Sequence, residues 1–252
     1  MSHLAPVWFI SHGSPDLVLR RPSACAFLEG MHLEGIRALI VLSAHWYSRE
    51  PQIGISSGQA LMYDFYGFPE PLYQIRWPGH SSRELVERVC AQLGEGVETL
   101  IRPFDHGVWS PLSLMDPEGA IPLLQLSLPE GWSPAALWAF GERLAQLRGE
   151  GIGILASGSL THNLGALKWR GGEPDPWASH FIDWLEEKMQ SGDHSALQDY
   201  RTLAPHAAMA HPVDDHLRPL FIALGAAGGG APTRLHASWD LGNLYMGSYR
   251  WD

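Results

Sequence analysis

Three histidines stand in the same local setting. Ser11-His12-Gly13-Ser14-Pro15, Ser43-Ala44-His45-Trp46 and Ser157-Gly158-Ser159-Leu160-Thr161-His162-Asn163 each follow a short apolar run of strand type. Imidazole is the commonest side-chain ligand for transition metals, and it titrates near neutral pH. Histidines brought together can therefore hold an ion and also move a proton. Two further histidine-bearing loops are expected, Asp105-His106-Gly107 and His211-Pro-Val-Asp-Asp-His216. The spacing of five in the second is not the i, i+4 pattern of a metal-binding helix. It fits a loop histidine followed by one at a helix start, with Leu217–Leu224 as the helix. A lone loop histidine is more often a hydrogen-bonded structural residue, but three in one repeated setting are harder to explain that way. His3, His32, His80, His180, His194, His206 and His236 lack the setting and read as surface or structural residues. Gly13-Ser14-Pro15 has neither the glycine spacing nor the lysine of a phosphate loop. Ser157-Gly158-Ser159 lacks the flanking glycines of a nucleophile elbow, so serine hydrolysis is weakly supported.

The elements that would position these histidines alternate along the chain. Strands are predicted at Val7–Ile10, Ala38–Leu42, Ile121–Leu126 and Ile152–Ala156. Ser82–Leu93 carries Leu85, Val86, Val89 and Leu93 at helical spacing. Ser133 can cap a helix Pro134–Leu147, and Asp175 one at Pro176–Met189, with proline at the first helical position in both. This alternation predicts an α/β fold, with a central mostly parallel or mixed sheet and helices on both faces. Thr233–Ser238 and Leu244–Tyr249 read as late antiparallel strands, preceded by a flexible Gly225–Gly230 loop. In an open α/β sheet, ligands bind beyond the carboxyl ends of the strands. His12, His45 and His162 would then share one cleft.

Composition limits the classes of function. With 45% apolar and 17% charged residues the chain is globular. A net charge of -10 argues against nucleic acid and anionic membrane surfaces as partners, since both require a basic face. No run reaches the roughly 18 apolar residues of a membrane span, and Met1–Pro6 does not start a signal peptide. Cys25 and Cys90 have no CxxC partner and read as buried thiols in a reducing, cytoplasmic setting. The 252 residues could form one large core or two small ones. With no internal repeat or long linker, one domain over 1–252 is expected. Self-association is left open.

Six blocks spread in order over nearly the whole chain resemble the class III, or LigB-type, extradiol dioxygenases. Within that family they look most like the DOPA extradiol dioxygenase branch. They are His12-Gly-Ser-Pro15, Ser43-Ala-His-Trp46, Tyr63-Asp-Phe-Tyr-Gly-Phe-Pro69, Asp105-His-Gly-Val-Trp-Ser-Pro-Leu112, Gly158-Ser-Leu-Thr-His-Asn-Leu164, and His211-Pro-Val-Asp-Asp-His216 followed by Pro219-Leu220. Each is short, but together they are specific. The resemblance implies a LigB-like fold and one divalent metal ion, Fe(II) or Zn(II), with a catecholic substrate and dioxygen as reactants. It implies His12 and His45 as metal ligands. The third ligand is His216 by the DOPA branch, or a carboxylate by the broader family, for which Asp214 and Asp215 lie close by. His162 matches the acid/base histidine, which would take a phenol proton and later return it. His106 matches a histidine that stabilises developing negative charge on oxygen. The aromatic residues Trp46, Tyr66, Phe68 and Trp109 are candidate pocket walls, and equally candidate core. The competing reading is a zinc-dependent hydrolase on the same scaffold. A non-catalytic binding protein is a third reading, and two unliganded histidines argue against it.

Overall fold

Short apolar segments become neighbouring strands because both faces of the sheet are covered. The computed structural model describes residues 4–33, 35–58, 60–94 and 96–252, so His3 and the start of the Met1–Pro6 segment lie outside the described residues. Among the described residues ten strands occur in chain order: β1 Val7–Ser11, β2 Ala38–Ser48, β3 Gln52–Ile55, β4 Glu98–Ile101, β5 Leu123–Pro129, β6 Ile152–Gly158, β7 Thr233–His236, β8 Trp239–Asp240, β9 Leu244–Tyr245 and β10 Ser248–Trp251. Eight of them form one mixed sheet in the order β4-β3-β5-β2-β6-β1-β10-β7, while β8 and β9 pair separately. The central four, β5-β2-β6-β1, are parallel. The late strand β10 is antiparallel to both β1 and β7, as expected for the C-terminal region.

Alternate residues of one strand enter different cores. Val7 and Phe9 face one core with Ile40 and Leu42, whereas Trp8 and Ile10 face the other with Leu39 and Val41. Continuous apolar runs such as Val7–Ile10 are the signature of strands buried on both sides. Among the described residues six helices of seven or more residues cover the sheet: α1 Ser23–Glu29, α2 Arg83–Leu93, α3 His106–Met115, α4 Pro134–Leu144, α5 Pro176–Ser191 and α6 Arg218–Ala226. Helices α2, α4, α5 and α6 pack on the first face, and α1 and α3 on the second. Among the described residues, no helix is long and apolar enough to cross a membrane.

Several expected boundaries shift, each for a local reason. Ser133 Oγ accepts from the Ala136 amide at 3.2 Å and starts α4 as expected. The α-helix then ends at Leu144 and continues as the tighter turns Ala145–Glu150. Those turns carry Arg148 inward, where its guanidinium donates to the carbonyls of Ala5 and Ala226. Asp175 precedes α5 without capping it. Its carboxylate instead accepts from Lys168 Nζ at 2.6 Å and Asn243 Nδ2 at 2.9 Å. Cys25 is buried, but Cys90 is only half-buried. Gly225 lies in α6 and not in a loop. A Cβ there would stand 2.0 Å from the Trp138 carbonyl oxygen, so the residue's small size lets α6 pack directly on α4. Gly225→Ala should therefore force the two backbones apart. We expect a loss of roughly 1–3 kcal/mol, about 2–12 °C in melting temperature for a chain of this size. A thermal melt of the variant checks it, and an unchanged melt would show that the helices separate freely.

Candidate active site

The parallel register aligns the strand ends from which the histidines emerge. Ser11 of β1 lies opposite Gly158 of β6, and Ser43 of β2 opposite Ser157. His12 follows β1 at once, and its amide donates to the Gly158 carbonyl at 3.1 Å. His45 does not follow a strand, because β2 runs on to Ser48. The pairing of β2 with β5 breaks between Leu42 and Tyr47, and His45 sits in that irregular stretch. Such an irregularity re-aims side chains without ending the strand. His106 likewise is not in a loop but is the first residue of α3.

Strand ends alone do not bring in the C-terminal block. The Ser159 amide donates to the His216 carbonyl at 2.9 Å, and the His162 amide to the Ala210 carbonyl at 2.9 Å. His211 is fully buried, and its Nε2–H donates to the Leu160 carbonyl at 2.9 Å. These bonds fasten the segment after β6 to the residues before α6. Tyr47 Oη adds a bond to the Asp215 carbonyl at 2.7 Å.

Three ring nitrogens then converge. His45 Nε2 lies 3.1 Å from His12 Nε2 and 3.3 Å from His216 Nε2. The opposite nitrogens are committed elsewhere. Ser157 Oγ donates to the Gly107 carbonyl, so it accepts from His12 Nδ1–H at 2.9 Å. His216 Nδ1–H donates to Asp215 Oδ1 at 2.9 Å, and His45 Nδ1 faces Asp64 Oδ2 at 3.4 Å. With each Nδ1 carrying the proton, each Nε2 presents a lone pair. Three lone pairs facing one point repel unless a cation lies between them. Ligands held ~2.1 Å from one ion at angles of about 90–110° stand about 3.0–3.4 Å apart. Both separations match that spacing, so these residues fit a metal ion.

Electrostatics agree with the geometry. Burial first, and the neighbouring histidines next, push His12, His45 and His216 well below the ordinary histidine range, with Asp64 opposing this at His45. Neutral imidazole is the form that ligates a metal. The carboxylates near His216 are turned to other partners. Asp215 Oδ1 serves the amide and Nδ1 of His216, and Asp214 lies 3.2 Å from Tyr200 Oη and 3.7 Å from Arg218.

The two remaining histidines flank the trio. The His162 ring stacks on His216 with centroids 3.3 Å apart, and its Nδ1 lies 3.8 Å from Asp215 Oδ1. Burial lowers its pKa, with Asp215 opposing. His106 lies against His45 at 3.9 Å between ring centroids and donates from Nδ1 to Asp64 Oδ1 at 2.9 Å. A nitrogen of His106 comes within 4.8 Å of nitrogens of His12 and His45, and nitrogens of His162 and His216 form a similar group with an Asp215 oxygen. His12, His45, His106, His162 and His216 thus share one place.

Asp64 was quoted within the Tyr63–Pro69 block but given no role by the sequence reading. Asp105 was missed in the same way. It accepts from Ser43 Oγ at 2.7 Å and Gln125 Nε2 at 2.5 Å, behind the histidines. Gly107 is required there, since a Cβ would meet Ser43 Oγ at 2.4 Å. The four expected wall aromatics do not form one pocket. Trp46 packs under the Arg102 guanidinium at 4.7 Å, and Tyr66 is 92% exposed. The ring that meets His106 is Phe65, at 5.6 Å, backed by Phe68 and Trp109.

Residues 2–243 match the family described as the catalytic LigB subunit of aromatic ring-opening dioxygenase. The chain belongs to the LigB family. The expected family is thereby borne out. A 4,5-DOPA dioxygenase extradiol from Beta vulgaris is 36% identical over 98% of this chain and 97% of its own length. A protein of the same name from Escherichia coli K12 is 33% identical, covering 96% of this chain and 92% of its own. A crystal structure of an uncharacterized protein from Escherichia coli K12 superposes with a TM-score of 0.76 at 27% identity, covering 98% of this chain and all of the other.

The buried His211 makes acid stability a measurable consequence. Burial lowers its pKa to about 3, with the Leu160 carbonyl opposing. The folded protein keeps this ring neutral while the unfolded chain takes a proton below about 6.5. Its contribution is therefore complete above about pH 6.5 and is lost progressively as pH falls toward 3. Between pH 7 and pH 5, metal-free wild type should lose about 2 kcal/mol more than His211→Gln, which keeps a donor for Leu160. Urea denaturation at both pH values checks this, and equal losses would mean that His211 charges freely in the fold.

Proposed function

We propose that this protein is an extradiol dioxygenase that opens a catechol-type ring with dioxygen at one divalent metal held by His12, His45 and His216. The observation that carries the reading is the approach of His45 Nε2 to His12 Nε2 at 3.1 Å and to His216 Nε2 at 3.3 Å. His216 is favoured as third ligand over Asp214 and Asp215, whose carboxylates face other groups. The protein is read as one catalytic domain over 1–252, supported by its single large sheet and the family match. The reading places it in the cytoplasm, where Cys25 and Cys90 remain reduced.

A ferrous ion, when bound, supplies the electron-transfer and Lewis-acid chemistry that lets dioxygen react with a closed-shell catechol. The residues around it handle protons and orientation. His162, kept neutral by burial, accepts a proton from a catechol hydroxyl. Asp215, beside its Nδ1, steadies the charge that results. The same ring returns the proton as the carbon skeleton opens to a semialdehyde acid. His106, anchored through Nδ1, would present its other nitrogen to the reacting oxygens and stabilise negative charge developing there. Phe65 beside His106 offers an aromatic face to the substrate ring. Arg20 and Arg21, the cations nearest the first loop in sequence, are engaged by Asp240 and Glu29 and are not available to a substrate carboxylate.

Anaerobic reconstitution with ferrous iron followed by dioxygen uptake against a catechol panel tests the reading. We expect one dioxygen consumed per catechol and a yellow semialdehyde, with the zinc form inactive. Failure of the iron form on every catechol would refute it. His162→Ala should keep its metal and lose turnover by roughly 10²–10⁴-fold. Loss of the metal from that variant would instead make His162 a ligand.

A further inference from the structure

We infer that Asp64 is a positioning residue shared by the metal centre and the proton machinery, one carboxylate orienting both His45 and His106. Its two oxygens divide the work. Oδ1 accepts from His106 Nδ1 at 2.9 Å and from the His106 amide at 3.1 Å, while Oδ2 faces His45 Nδ1 at 3.4 Å. A carboxylate has acceptor sites for all three donors at once, and an amide does not.

The consequence for each ring follows from its two nitrogens. A proton held on Nδ1 by Asp64 leaves Nε2 as the nitrogen that meets the metal or the substrate. Without the carboxylate, His45 can adopt the tautomer that carries its proton on Nε2, which has no lone pair for an ion. His106 can likewise rotate about its side chain. Asp64 itself is held in place on both sides of the chain. Tyr63 Oη donates to the Ile75 carbonyl at 2.7 Å, and Phe65 packs against Phe68 and Tyr73. The carboxylate is largely enclosed but not sealed, its side chain 18% exposed. Burial pushes its pKa up, yet bonds and charge from His106 and His45 outweigh this and hold it at about 2.

The inference rests on the ligand and catalytic assignments proposed above, so its test separates the two. Zinc affinity of the metal-free protein is measured by competition with a chelating dye, and kcat and KM are measured on the iron form with catechol. Thermal melts of the metal-free proteins accompany both. Asp64→Asn should melt with wild type, bind zinc roughly 10–100-fold more weakly, the usual loss for an outer-sphere partner, and lose kcat with KM within about threefold. Asp64→Glu keeps the charge and should recover part of both losses, and it carries the test if the asparagine variant does not fold. Wild-type zinc affinity in Asp64→Asn, or a change in only one of the two properties, would overturn the shared role. His12→Ala serves as the reference. If it too binds zinc like wild type, the proposed metal centre itself is wrong, and Asp64 is not at issue.

Discussion

Everything at this site depends on one electrostatic constraint, the mutual approach of three imidazole lone pairs. His12, His45 and His216 turn Nε2 toward a common point only because Ser157, Asp64 and Asp215 occupy the opposite nitrogens. Each of these partners is itself fixed. Ser157 is held by the Gly107 carbonyl, Asp64 by the α3 terminus, and Asp215 by the His216 amide and, through its carbonyl, by Tyr47. Preorganisation of this kind lowers the rearrangement needed when an ion or substrate arrives.

The two outer histidines follow a matching plan. Asp64 stands near one inner ring, His45, and one outer ring, His106, while Asp215 stands near His216 and His162. The contacts are not equal, for His106 is hydrogen-bonded to its carboxylate and His162 lies 3.8 Å from its own. The looser ring is the one assigned to proton transfer. A ring that must take and return a proton needs freedom to turn, whereas one that only stabilises charge benefits from being fixed. Behind both, Asp105 joins Ser43 and Gln125 in a buried network tying β2 and β5 to the start of α3.

Much of this was legible in the sequence, because the signals were local. Val7–Ile10 and Ala38–Leu42 are doubly buried strands and read so from composition alone. The strand-then-histidine pattern was enough to place His12 and His162 at one sheet edge. His45 was placed correctly in space but for an incomplete reason, since no apolar period reveals that β2 continues past it through an irregular register. Asp64 was not legible, because a carboxylate in an aromatic loop has no periodic signature and its partners lie 19 and 42 residues away in sequence. Gly225 was misread because glycine marks both turns and close helix contacts, and only the Trp138 carbonyl opposite it distinguishes them.

The order in which the chain supplies the trio has a consequence for biogenesis. The first strand, β1, closes its hydrogen bonds only against β6 and β10, the latter ending at Trp251. His12 precedes His216 in the chain, and β6 lies between them. A growing chain on the ribosome therefore holds at most two of the three nitrogens until His216 emerges. Pairings this distant also make folding slow relative to chains with local contacts. The three-histidine constellation is thus complete only once β1, β2 and the segment before α6 have all been made, so a three-nitrogen ion site would form after the central sheet strands and not before them.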